Sequence, residues 1–271
     1  MSARLYGRAD VTDRNPSQPP LAGAAPMRIL KAMSAADLPR HDEIAGVPRA
    51  IELASLVAAG AMLLWQGTRL WLLGLGGGQA WLVLVVVAAA MVADLVSGLV
   101  HWTADTWGSE TLPFIGRRFL RPFRVHHVNP ADFNRRDFID TNGDVSMLVL
   151  PALVAAAGWP IESTMSLALV TGLVSFAAAG WMTNQVHQWS HVDRPPRVVA
   201  WMQRHGLLLS RAAHGAHHTA PHATNYCIAN GWMNRPLAAL DFFRRLEALV
   251  TRCTGVEPRR DDAAFAAKPT R

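Results

Sequence analysis

Residues 80–102 read "AWLVLVVVAAAMVADLVSGLVHW", with Asp94 the only ionisable side chain ahead of His101. At about 1.5 Å of rise per residue, a helix of this length crosses the roughly 30 Å hydrocarbon core of a bilayer. The segment reads as a transmembrane helix, and the pattern recurs on either side of it. Residues 50–65 form an apolar stretch that reaches spanning length only when continued through "GTRLWLLGL". Residues 145–159 form a third, containing Pro151, and residues 165–182 a fourth. "GWPIES", at 158–163, carries the turn chemistry of a tight connection between antiparallel spans. The expected fold is an all-α integral membrane protein, with four transmembrane helices and a cytosolic histidine-rich helical cap.

Composition and charge agree. Of 271 residues, 51% are hydrophobic and only 17% charged, against about a quarter charged in a soluble domain. The net charge of +6 comes almost wholly from arginine, Lys31 and Lys268 being the only lysines. Short loops retained in the cytoplasm carry such an excess. Arg117, Arg118, Arg121, Arg124, Arg135 and Arg136 fall between the second and third spans, while the opposite loops hold only Arg69. Both termini and the long middle loop are therefore expected in the cytosol, with the basic face turned to anionic lipid and no nucleic acid as partner. Residues 1–48, with Pro16, Pro19 and Pro20, are expected to form a flexible tail, 49–255 one four-span domain, and 256–271 a C-terminal tail. Cys227 and Cys253 are too few for a disulfide framework or a thiolate metal site.

Ten of the eleven histidines lie between His101 and His222, on the cytoplasmic side or at its membrane boundary, and their spacing is not that of scattered surface residues. "NQVHQWSH" sets His187 and His191 at i and i+4, a familiar metal-ligand spacing on one helix face. "FRVHHVNP" gives His126 and His127, which on a helix point about 100° apart and so suit two ions better than one. "HGAHHTAPH" gives His214, His217 and His218, three imidazoles within about 60° on one helix face. Such a group repels itself if protonated, and a shared cation is the simplest partner that keeps it neutral. With His101 these make eight nitrogen donors, more than the four that a single structural zinc takes. Two ions fit the count better. His41 and His205 read as surface residues, and the arginines around the site, among them Arg121, Arg124 and Arg211, as attractors of phosphate headgroups.

Acidic residues surround this set. Asp105 shares a helix face with His101, and Asp94 lies seven residues before His101, inside the span, where a carboxylate is costly and so either functional or hydrogen-bonded. "DTNGD" contributes Asp140, Asn142 and Asp144, which have the chemistry of a turn and N-cap opening the third span. Each could also orient an imidazole, since ligating histidines usually donate their second N–H to a carboxylate or amide.

"VADLVSGLVHWTADTWGS", "FRVHHVNP", "FIDTNGD", "NQVHQWSH" and "HGAHHTAPHATNYCIANGWMNRPL" resemble, in order and spacing, the successive motifs of the Kua/CarF lipid desaturases over about residues 80–260. The resemblance implies an oxygen-dependent enzyme with two iron ions held by His101, His126, His127, His187, His191, His214, His217 and His218. Family members act on the 1-O-alkyl chain of plasmanylethanolamine or on an acyl chain of phosphatidylglycerol. The implied partners are a membrane phospholipid, O2 and an external electron donor of ferredoxin or cytochrome type. His222, which plant members lack, is expected beside the site, orienting a ligand or touching substrate. The alternative outside enzymology is a metal-binding membrane scaffold.

Overall fold

The computed structural model describes residues 38–219 and 222–259; the rest of both expected tails, 1–37 and 260–271, lies outside the described residues. Among the described residues the regular structure is helical. Four helices are long and apolar enough to cross a membrane: α1 (Gly46–Leu73), α2 (Leu82–Thr106), α5 (Phe138–Gly158) and α6 (Thr164–His191). They match the four apolar runs one for one, and each continues past its run at the same end of the bundle. α6, at 28 residues, is about 42 Å long and stands well clear of a 30 Å slab.

Local chemistry sets these limits. α6 opens on a capping box between Ser163 and Ser166. α5 begins before its apolar run because the Asp137 carboxylate caps it, accepting from the N–H groups of Ile139 and Asp140. "DTNGD" consequently lies inside the first turns of α5 and not in the turn that precedes it. Pro151 does not end the helix, as membrane helices often tolerate. The remaining helices gather at the extended end: α3 (Arg121–Val128), α4 (Pro130–Phe133), α7 (Arg197–Arg204), α8 (Arg211–His217), α9 (Asn234–Ala239) and α10 (Phe242–Thr254). A π turn, Gly116–Leu120, leads into α3.

The spans stand in a row, with α1 on α5, α5 on α6 and α6 on α2. Small residues let the backbones approach: Ala59, Ala156 and Ala177 are fully buried. Two glycines are required by closeness. A Cβ on Gly143 would fall 2.5 Å from the Cβ of Glu52 on α1, and one on Gly98 would fall 2.5 Å from Sγ of Cys227. Glu52 sits in a stretch read from sequence as apolar, yet it is fully buried and paired with Arg118 at 2.6 Å. That pair resolves the cost of a carboxylate so placed.

Candidate metal centre

α2 and α6 lie side by side and run in the same direction, so their final turns reach one level. α2 delivers His101 and, one turn on, Asp105; α6 delivers His187 and, one turn on, His191. α3 supplies His126 and His127, and buried Arg124 pins it across the end of α2. Its guanidinium donates to the carbonyl oxygens of Ala104, of Trp107 at 2.8 Å and of Gly108 at 3.4 Å. α8, capped by Ser210, supplies His214 and His217, with His218 as its C-cap.

All eight histidines meet, in two groups. His126, His187, His191, His214 and His218 form the first; His101, His127 and His217 form the second with Asp105. In the first, Nε2 atoms face one another along the chain His187, His214, His218, His126, His191, at 2.8, 3.0, 3.0 and 3.1 Å. A neutral imidazole Nε2 carries either one proton or one lone pair. Hydrogen bonds cannot satisfy the nitrogens of His214, His218 and His126, each of which faces two others. Metal–imidazole bonds of about 2.1 Å, however, set ligand nitrogens about 3.0 Å apart across a right angle. The spacing is that of donors around an ion.

In the second group, Oδ2 of Asp105 lies 3.2, 3.3 and 3.4 Å from the Nε2 atoms of His101, His127 and His217. It makes no well-directed hydrogen bond with any of them. One anionic oxygen and three imidazole nitrogens again converge on a point. The two groups are neighbours: ring centroids are 5.7 Å apart for His101 and His187, and 5.4 Å for His217 and His218.

Electrostatics keeps the donors available. Burial, and then the adjacent imidazoles, hold His126, His214 and His218 well below the ordinary imidazole range, so they are neutral at physiological pH. In the second group backbone carbonyls set the tautomer. His101 Nδ1 donates to Tyr226 O at 3.0 Å and His217 Nδ1 to Thr224 O at 2.9 Å, which turns both Nε2 lone pairs inward. The loop supplying those carbonyls is held by Asp94. Its Oδ1 accepts from the N–H groups of Ala229, Asn230 and Gly231 at 3.1, 3.0 and 2.9 Å, and its Oδ2 from Met233 at 2.9 Å.

Several expectations are corrected by this geometry. The "HxxHH" histidines do not share one site: His214 and His218 face the first group and His217 the second, because they lie on different sides of a short helix that ends among them. Asp105 stands among the donors and not behind them. Asp94 meets backbone N–H groups and no imidazole. Asp140 pairs with Arg49, Asp144 with Arg118 at 2.6 Å, and Asn142 with Gln185 at 3.0 Å, since the first turns of α5 face α1 and the flank of α6. His222 lies beside the second group, its ring stacked on His127 at 4.9 Å and its Nδ1 3.0 Å from His217 O. His41, expected at the surface, is half-buried, its side chain 3.0 Å from Asp132 and only 7% exposed, whereas His205 is exposed. Arg124 is engaged with carbonyls and Arg211 pairs with Asp193; of the three arginines expected to draw phosphate, Arg121 lines the cavity described next.

A cavity of about 670 Å³ opens onto the centre. His101, His126 and His187 are among its lining residues, and along the spans its wall is apolar, with Val96, Val100, Leu148 and Phe176. Val96, Val100 and Leu148 are 38%, 43% and 77% exposed, so the cavity is open sideways between α2 and α5. Arg117, Arg118, Arg121, Asp42 and Asp144 add charge to the lining. From His187 to Phe176 the cavity follows α6 for eleven residues, or about 16 Å.

A lipid desaturase domain matches residues 90–261, which include every histidine of both groups together with Asp94 and Asp105. The chain belongs to the lipid desaturase family. Among its relatives, plasmanylethanolamine desaturase of Myxococcus xanthus is 40% identical over 215 residues, covering 79% of this chain and 76% of the relative. Plasmanylethanolamine desaturase 1 of Mus musculus is 43% identical over 210 residues, covering 75% and 73%. The chloroplastic fatty acid desaturase 4 of Arabidopsis thaliana is 34% identical over 176 residues, covering 64% and 52%. No solved structure matches the chain. As a lipid desaturase with four apolar helices, it is a multi-pass membrane oxidoreductase whose histidine cluster is suited to metal. The features of this desaturase that sequence reasoning missed are the Tyr226 and Thr224 carbonyls and buried Glu52; backbone acceptors leave no residue signature, but Glu52 was visible as a lone acid in a span.

Proposed function

We propose that this protein introduces a double bond into the 1-O-alkyl chain of plasmanylethanolamine, giving a vinyl ether, at two iron ions held by the two histidine groups. The observation that carries this reading is the lining of one cavity, where histidines of both groups, arginines and apolar side chains come together. A headgroup held by the arginines and a chain held along the apolar shaft share this cavity with His101, His126 and His187, as reaction at C1 and C2 of an ether-linked chain requires. The relatives that are 40% and 43% identical carry names for this reaction.

Both donor sets fit iron. Their nitrogen spacing suits right-angled coordination, and the second set includes a carboxylate. Iron supplies the dioxygen-dependent redox chemistry that removes two hydrogens from unactivated methylenes, which zinc cannot supply. His126, His187, His191, His214 and His218 would hold one ion; His101, Asp105, His127 and His217 would hold the other. The protein's own residues do the rest. Thr224 and Tyr226 orient His217 and His101, Phe133 and Phe123 pack against His126 and His101 and keep water out, and the shaft holds the chain straight beside the imidazoles. Electrons come from a separate donor of ferredoxin or cytochrome type, with the termini and the centre on the cytosolic side, as the arginine bias supports.

Cells supplied with alkyl-acyl ethanolamine lipid and expressing the protein are expected to accumulate acid-labile vinyl ether, measured in lipid extracts. Replacing His217 with alanine is expected to abolish the product while membrane insertion persists. A new acyl double bond with no vinyl ether would instead make the protein an acyl-lipid desaturase.

A further inference from the structure

The cavity mouth holds a charge arrangement that the histidine groups do not use. We propose that Arg117 and Arg121 form the seat for the phosphodiester of the substrate's headgroup, and that the Asp42 carboxylate occupies this seat until the lipid enters. The choice of ligand rests on the lipid desaturase reading above.

Asp42 is shared between two guanidiniums: Oδ2 lies 2.8 Å from Nε of Arg117 and Oδ1 3.2 Å from Nη1 of Arg121. Two forks engaging the two oxygens of one anion is also how arginines hold the non-bridging oxygens of a phosphodiester. The two arginines are four residues apart, across the junction of the π turn and α3, which puts them on one side. All three residues line the cavity. The side chains of Arg117 and Asp42 are 81% and 37% exposed, and an ion pair so solvated contributes little. Exchange of carboxylate for phosphate therefore meets small resistance.

The segment bearing Asp42 is fastened at two points away from the seat, the His41 N–H donating to Asp132 at 2.7 Å and Asn129 Nδ2 to Pro39 O at 3.1 Å; Arg121, through the Nη1 that meets Asp42, also donates to Arg40 O at 2.8 Å. Asp42 can leave the seat without releasing the strap. Arg118 differs: it is tied to buried Glu52 and to Asp144 at 2.6 Å each, a bridge from α1 to α5, and is not part of the seat.

The surroundings fit the headgroup level of a bilayer. Phe114, beside the seat, is 98% exposed and has a φ of 62°, a left-handed conformation that an aromatic residue adopts only under strain. With Ile115, 53% exposed, it sets apolar surface next to arginine, as interfacial segments do. A phosphate anchored there enters the same cavity that His101, His126 and His187 line.

The test is equilibrium binding to the full-length protein in neutral detergent micelles, without oxygen or reductant. The probes are fluorescent lysophosphatidylethanolamine and a monoacylglycerol of the same chain, which lacks phosphate. The double variant Arg117→Gln/Arg121→Gln is expected to weaken binding of the phospholipid by roughly ten- to a hundredfold, leaving the monoacylglycerol unchanged. Asp42→Asn, which removes the competing anion, is expected to tighten the phospholipid alone. Weaker phospholipid binding in Asp42→Asn, or no change in the double variant, would overturn the proposal. So would parallel loss of monoacylglycerol binding, which would make the arginines props of the cavity. Full displacement of the phospholipid by millimolar inorganic phosphate would assign the seat to a free anion and overturn the lipid assignment. Because no turnover is involved, failure here leaves the vinyl-ether assay intact, and failure of that assay leaves this measurement intact.

Discussion

Asp105→Asn is expected to empty one of the two proposed ion sites and to lower product formation by about 100-fold or more, beyond the loss typical of a group that merely orients a ligand. The substitution preserves volume and removes the charge. In its place an amide N–H2 faces the three Nε2 atoms that Oδ2 of Asp105 now meets at 3.2, 3.3 and 3.4 Å. His101, His127 and His217 are left without the anion that completes their set. The five-histidine group has no acid in it and is untouched. Metal per chain in purified Asp105→Asn protein should therefore fall by half, with the protein still folded. Full metal content with near-normal product would make Asp105 a prop.

Asp94→Ala is expected to act on stability instead. Four N–H groups, that of buried Ala229 and those of half-buried Asn230, Gly231 and Met233, lose their acceptor together. At about 1–3 kcal/mol for an unsatisfied buried group and less where water reaches it, the expected cost is about 3 kcal/mol. The loop that follows Thr224 and Tyr226 comes loose, and with it the carbonyls that aim His217 and His101. Thermal unfolding in detergent should show a large drop, or no folded protein at all, and Asp94→Asn, which retains one acceptor oxygen, should fall between. Unchanged unfolding with lost activity would place Asp94 in the chemistry.

The spans and the eight histidines were legible in the sequence because each depends on local pattern: long apolar runs for the former, helical spacing for His187 and His191. The division of the histidines was not. His217 and His218 are adjacent in sequence but face different groups, and only the position where α8 ends, set by the tertiary fold, separates them. Asp105 was visible as the i+4 partner of His101, yet nothing local distinguishes a donor from the group behind it. Asp94 shows the opposite limit. A carboxylate in a span reads as functional on cost alone, but here its partners are backbone N–H groups 135 to 139 residues away, which no residue type announces. The charged part of the cavity was partly legible: arginines crowd the segment between the second and third spans, but which of them line the cavity depends on how the π turn and α3 pack against α2.

Iron content bears most directly on the central claim that the histidine groups are a two-ion centre of a lipid desaturase. Full-length protein purified after expression with ample iron is expected to hold about two irons per chain, as two separate donor sets require. It should lose about one when Asp105 or His217 is replaced, and the other when His126 or His214 is. Zinc in place of iron, or loss of all metal from a substitution in one group alone, would contradict it.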